Sequence, residues 1–322
     1  MKTTKKIFKL ILLLALFGII YSFSFTTYEN IKVNNMIKKF KKRADLNSEV
    51  LINVTNGGES YYRRYLEVPR ETSKELNDQK NVFNDFEKNE LGRNGDIFVT
   101  RDSPFPEKVL IHNFVSYYFG GHSALLYYEN NNPNFIEATG FPTSDESIFD
   151  YIFNKGNAIH DLHSTVSVNT ANYWTTPNRL NEYYFDMFYR DKYIGLRQVK
   201  DIDDDLYEQY IDEAINKTYE KVESDSLYNF LFFINTRYKY YCTDLLGRSF
   251  DEAYNKVVND KQEYKSKGYA KKMNDDGFIS SVNDLILSKD TFIHFYVEIN
   301  EEILNDEKVI VETIYYLSDV EV

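Results

Sequence analysis

The sequence predicts an α+β fold, and three observations carry that prediction. Short β-branched and aromatic runs recur between turn residues, a central stretch has apolar residues at helical spacing, and the chain ends in two more strand-like runs. With 43% hydrophobic residues, 13 Gly and 6 Pro among 322 positions, the chain can build a packed core and lacks the composition of a disordered or collagen-like polymer.

The first element is an address. Lys2, Lys5, Lys6 and Lys9 precede an apolar run from Leu10 to Phe25, the charged and hydrophobic parts of a secretory signal or a short signal anchor. Residues 1–25 are read as that segment. Ser22 and Ser24 make a poor cleavage pattern, because Phe25 follows and no alanine occupies the site, so an uncleaved anchor is favoured over a cleaved peptide. In both cases the positive-inside rule puts the rest of the chain outside the cytoplasm.

Residues 26–94 are read as a basic stalk and a helical connecting segment. From Thr26 to Arg43, six basic residues (Lys32, Lys38, Lys39, Lys41, Lys42, Arg43) face a single Glu29. Val33, Met36, Ile37 and Phe40 cluster on one side while Ile31, Asn34, Asn35 and Lys38 share another, which predicts an amphipathic helix leaving the membrane. Its basic residues meet anionic lipid or wall polymer, or are simply solvated. After the Asn56-Gly57-Gly58 turn the chain is polar, with Val82, Phe83 and Phe86 as anchors for a helix expected near Thr72 to Glu90.

From Gly95 the pattern turns to strands. Asp96 to Thr100 is opened by Asn94-Gly95, Ser123 to Tyr128 follows Gly120-Gly121-His122, and Asn134 to Ala138 completes a hairpin across Asn130-Asn-Asn-Pro133. A strand over Tyr193 to Val199 precedes a helix over about Asp203 to Glu223, whose face is Leu206, Tyr210, Ile211, Ala214, Ile215 and Tyr219. Tyr228 to Phe233 reads as another strand, and a helix is expected to open at Cys242 and continue past Phe250. The last strands are Thr291 to Ile299 and Lys308 to Leu317.

Composition narrows the function. A net charge of −12 argues against a general nucleic-acid binder, which carries a basic footprint. One cysteine, Cys242, excludes a disulfide framework and a cysteine-based zinc cluster, and no metal or other cofactor is expected. His160 and His163 have metal-pair spacing but no third ligand is apparent. His112 and His294 sit in apolar surroundings and read as packing or hydrogen-bonded residues.

A lone cysteine in an exported chain is either a buried bystander or a free reactive thiol. Its place at a helix start favours reactivity, since unpaired N–H groups and the positive dipole end stabilise a thiolate. His122 is the best-placed imidazole, brought by two glycines to the mouth of a strand. Glu137, on the next strand of the hairpin, lies diagonally across from it and is able to hold one ring nitrogen while the other faces sulfur, although a rim carboxylate is an equal reading. The chemistry wanted is that of a Cys-His-Glu triad.

These residues resemble a family. Gly95-Asp96-Ile97, Gly121-His122-Ser-Ala-Leu-Leu-Tyr127, Phe135-Ile-Glu137-Ala and Tyr240-Tyr241-Cys242-Thr243-Asp244-Leu245 look like the ordered blocks of the circularly permuted papain-like cysteine hydrolases, the YiiX/YebB-like branch of the NlpC-type amidases. The histidine precedes the cysteine, as in the permuted branch. Asp276-Gly-Phe-Ile-Ser-Ser-Val-Asn-Asp-Leu-Ile286 resembles the family's late segment.

The resemblance implies a permuted papain-like domain over residues 95–300, followed by a C-terminal strand at 301–322. Its fold is an antiparallel sheet with a helix carrying the nucleophilic cysteine. The implied roles are Cys242 as nucleophile, His122 as base and then acid, Glu137 as the orienter of His122, and Asp96 in a structural turn. Where relatives often have Ser-Glu after the cysteine, this chain has Thr243-Asp244, and the Tyr-rich stretch from Ser144 to Asp191 exceeds a minimal domain.

The expected function is an extracytoplasmic cysteine amidase or peptidase, membrane-anchored or secreted, acting on cell-wall stem peptides. The alternatives are a lipid acyltransferase or thioesterase on the same triad and a degenerate binding module. Candidate cleft-wall residues are Phe141, Trp174, Tyr183 and Tyr184.

Overall fold

A computed structural model describes residues 2–56, 59–102, 109–140, 145–153, 162–169, 174–175, 191–232, 238–261 and 280–320. Helix α1 (Lys2–Lys42) carries the apolar run and the stalk without a break. Its first part is exposed, and it is long and apolar enough to cross a membrane. Its second part belongs to the folded body. Val33 and Phe40, two turns apart on one face, are buried in the main core, with Met36 and Ile37 packed against it.

Strands β1 (Val50–Asn56) and β2 (Glu59–Val68) follow as an antiparallel hairpin, and α2 (Ser73–Asn77) is a single turn closed by a Thr72–Glu75 capping box. Here the structure departs from the helical connecting segment expected of the sequence. Tyr61, Arg63 and Tyr65 alternate inward along β2, but Arg63 interrupts the apolar pattern, and its inward place depends on Glu312, 2.5 Å away on the last strand. The helix expected near Thr72 to Glu90 is present only as α2 at its start, and the residues after it form turns whose backbone oxygens accept from Arg70 and Arg197. Val82 and Phe83 are buried in that irregular stretch, whereas Phe86 is 96% exposed.

Next come β3 (Ile97–Thr100), α3 (Val109–Tyr118), β4 (His122–Glu129), β5 (Asn132–Ala138), α4 (Ile148–Phe153), β6 (Val166–Asn169) and β7 (Lys192–Gln198). The β4–β5 turn is two residues, Asn130 and Asn131, both at positive φ (52° and 62°), a conformation asparagine tolerates and a tight hairpin needs. Helix α5 (Asp204–Glu223) buries Tyr207, Tyr210, Ile211, Ala214 and Thr218. Strands β8 (Leu227–Tyr228) and β9 (Lys239–Tyr240) form a small parallel pair, shorter than the strand expected over Tyr228 to Phe233. Helices α6 (Cys242–Val257) and α7 (Val282–Leu287) precede β10 (Thr291–Leu304) and β11 (Glu307–Leu317). The last two strands form one long hairpin that runs through position 300, where the sequence placed a boundary.

The class is α+β with a mixed sheet. Among the described residues, nine strands pair in the order β1-β2-β11-β10-β7-β3-β4-β5-β6, antiparallel except where β2 runs parallel to β11. Helix α6 packs on α5 and on β4, with Tyr210 edge-on to Phe250 at 5.8 Å, which brings the start of α6 to the sheet.

Candidate active site

Cys242 is the first residue of α6. Tyr241, extended at φ −103° and ψ 168°, precedes it as N-cap without a side-chain cap bond, so first-turn N–H groups stay directed at whatever occupies the helix mouth. The helix start is tied down from the other side: Ser280 N–H donates to the Tyr241 hydroxyl at 2.8 Å, and Thr243 Oγ1 donates to the Ser280 carbonyl. The cysteine is a free thiol, only 8% exposed.

His122 opens β4 directly after Gly120 and Gly121, at φ 72° and 91°. At Gly121 the glycine is a packing requirement as well, because a Cβ there would lie 2.6 Å from the Asp102 carbonyl oxygen and closer still to that of Thr100. Thr100 is also the cross-strand partner of His122. On the other side of β4, the pairing of Leu125 with Ile136 sets Glu137 on the diagonal to His122, two residues from the position directly opposite it, and Glu137 Oε2 meets His122 Nε2 at 2.6 Å. The carboxylate is 1% exposed. Its second oxygen accepts from Asn169 Nδ2 at 3.5 Å on β6.

His122 also hydrogen-bonds Cys242, and with Nε2 engaged by Glu137 its other ring nitrogen is the one left to face the sulfur. Burial disfavours the charged imidazolium, but hydrogen bonds to Cys242 and Glu137 and their negative charge outweigh it and raise the His122 pKa to about 9. Burial likewise pushes the Cys242 thiol up, and the His122 hydrogen bond and charge, helped by the Ser123 backbone N–H and hydroxyl, more than reverse that and lower it. The two groups titrate as a pair in which thiolate and imidazolium stabilise each other.

Two aromatic residues frame this pair. Trp174 lies nearly parallel to the His122 ring, with centroids 6.0 Å apart and an interplanar angle of 11°. Tyr228, whose pKa burial and the Cys242 charge hold well above its ordinary value, keeps its proton and stands within electrostatic reach of the sulfur. Trp174, expected as a cleft wall, is instead 2% exposed and belongs to the main core. No sequence spacing marks Tyr228, since β8 reaches the cysteine only through the tertiary fold, and Ser123, beside His122 on β4, meets the sulfur only because the start of α6 packs there.

The other residues raised by the sequence lie elsewhere. Asp96 accepts both Nε and Nη2 of Arg197 at 2.8 Å and the Arg93 backbone N–H at 2.8 Å, so it locks a turn. His294 is fully buried 3.4 Å from Asp96, and burial holds its pKa well below the ordinary value. His163 pairs with Glu146 at 2.9 Å on the surface, and His112 lies on α3. His160, Phe141, Tyr183 and Tyr184 fall outside the described residues. Among the described residues no group of three or more His, Cys, Asp or Glu side chains is arranged to hold a metal ion.

The arrangement can activate a thiol toward a carbonyl: a nucleophile at a helix start, an imidazole beside it and a carboxylate behind the imidazole. Comparison of the chain with protein-family models, curated proteins and solved structures found no match.

Proposed function

We propose that the protein is an extracytoplasmic cysteine amidase or peptidase of the permuted papain-like kind, held at the membrane by α1 and acting on cell-wall peptides. The observation carrying this reading is the 2.6 Å His122–Glu137 contact in a pair whose other member is a thiol of lowered pKa at the first position of α6.

In the proposed reaction the Cys242 thiolate attacks the substrate carbonyl carbon, and the carbonyl electron pair moves onto oxygen. The Cys242 backbone N–H at the helix mouth and the Tyr228 hydroxyl are the donors available to that oxyanion. His122 then gives its proton to the leaving nitrogen, the C–N bond breaks and a thioester remains. Neutral His122 next takes a proton from water, whose oxygen attacks the thioester, and the thiolate leaves. Glu137 holds the ring orientation and stabilises its charged form throughout.

A second reading, acyl transfer from a membrane lipid or thioester, has its own observation. Helix α3 leans on the apolar part of α1, where the Tyr117 and Phe23 rings stack at 5.3 Å, and it leaves Val109, Leu110 and Phe114 exposed just ahead of Gly120-Gly121-His122. Such a surface suits a cleft that opens toward lipid.

The deciding experiment incubates the full chain in detergent with purified stem peptides and, separately, with phospholipids and short-chain thioesters, and scores products by mass, with Cys242→Ala as control. Peptide cleavage lost in the variant is the expected result. Acyl release without peptide cleavage replaces it with the second reading, and no Cys242-dependent product from any substrate removes both.

A further inference from the structure

A cavity of about 580 Å³ lies apart from the catalytic pair, between α1, α3, the chain after β3, and strands β7 and β10. Four cationic side chains line it, Lys38, Lys41, Arg101 and Lys192, against two carboxylates, Asp102 and Glu298. Lys41 is taken up by Glu298 at 2.6 Å. Lys38 and Lys192 have no carboxylate within ion-pair distance among the described residues.

Arg101 is the more telling residue. Its Nη1 and Nη2 donate to the side-chain oxygens of Asn34 and Asn30, one turn apart on α1, and its Nε is buried without a partner. Burial depresses its pKa, with the nearby Asp102 charge only partly opposing that. A guanidinium withdrawn from water and bonded to neutral amides keeps a charge that Asp102 compensates only in part, and an anion in the adjoining cavity would relieve it.

We propose that this cavity binds a phosphate-bearing anion, with Arg101, Lys38 and Lys192 as its cationic contacts. Arginine supplies donors in a planar fork, and lysines supply point charges, the combination that phosphate oxygens accept best. At 1.5 Å per helical residue, Asn30 stands about 7 Å beyond Phe25 and Lys38 about 20 Å beyond it, so the cavity begins at about the outer edge of the headgroup layer. The source taken here is an anionic membrane lipid, whose phosphate meets the near end of the cavity at Arg101, while Lys38 stands beyond the headgroup layer. That choice of source rests on the membrane anchoring proposed above, whereas the phosphate chemistry does not.

The test follows the thermal midpoint of the full chain in nonionic micelles as dispersed phosphatidylglycerol, phosphatidylcholine or soluble glycerol phosphate is added. Ligands that bind only the folded state raise the midpoint with concentration. Phosphatidylglycerol is expected to raise it more than phosphatidylcholine, and Lys38→Gln with Lys192→Gln should weaken the apparent affinity about tenfold, as the loss of charge-assisted contacts to phosphate implies. Because both lysines are exposed, the double variant should fold. Lys39→Gln with Lys42→Gln, equal in charge but outside the cavity, should leave the response unchanged. An equal response to glycerol phosphate keeps the site and changes its source to free phosphate, which separates failure of the anchoring from failure of the site. Equal loss in both double variants, or no response to any phosphate, overturns the proposal.

Discussion

Glu137 meets His122 along the diagonal of the β4–β5 hairpin, Oε2 to Nε2 at 2.6 Å, and both groups are sealed from solvent. A two-residue turn fixes the strand register, and the register fixes which carboxylate reaches the imidazole.

Cys242→Ala should abolish turnover while moving the thermal midpoint little, because α6 is held at its start by Thr243 and Tyr241 rather than by the sulfur. His122→Ala should lower kcat by about 10²–10⁴-fold, the usual weight of acid–base catalysis. Steady-state assays on purified variants check both, and retained turnover in Cys242→Ala would falsify the mechanism.

Activity should follow a bell with pH. The thiolate forms as pH rises through the lowered Cys242 pKa, and the imidazolium is lost as pH rises through about 9, so the alkaline limb belongs to His122. Glu137→Gln keeps an acceptor oxygen but removes the negative charge, and should move that limb to lower pH with a smaller loss of rate than His122→Ala. Iodoacetamide alkylation of Cys242 across pH measures the same pair. Superimposable profiles for wild type and His122→Ala would show that the imidazole does not govern the thiol.

Gly121→Ala should cost about 10²-fold in kcat/KM, since the new Cβ collides with backbone oxygens of Thr100 and Asp102 and must displace His122. Its fingerprint is an unaltered α6 with a slower-alkylating Cys242. If rate and alkylation both matched wild type, the glycine pair would have no part in placing the imidazole.

Glu312→Ala should destabilise the fold by about 3–5 kcal/mol, because it leaves the buried Arg63 guanidinium without its carboxylate and removes the acceptor of the Tyr193 hydroxyl. Urea unfolding measures the loss. Glu312→Gln, which keeps an acceptor, should lose less, and a deficit below about 1 kcal/mol for the alanine variant would mean that Arg63 finds other compensation.

The sequence made the local elements legible where local physics dominates. Asn130 and Asn131 announce a tight turn, the apolar spacing from Leu206 to Tyr219 announces α5 to within a residue of each end, and the run from Leu10 to Phe25 announces a long apolar helix. His122, Glu137 and Cys242 stood out because a hairpin diagonal and a helix start are short-range geometry. Elements that depend on distant partners were not legible. Strand β2 carries an inward arginine that reads as surface until Glu312 arrives beside it from the other end of the chain. Helix α3 has an apolar face that gains its meaning from α1. Tyr228 reaches the sulfur, and Arg101 reaches Asn30 and Asn34, through contacts between residues far apart in sequence, and no periodicity in a chain encodes which remote groups will share a desolvated space. The sequence by itself determined the chemistry-bearing residues and their local frames. The tertiary structure decided which of them lose water together, and burial beside an opposite charge is what turns an ordinary thiol and imidazole into a pair with shifted pKa values.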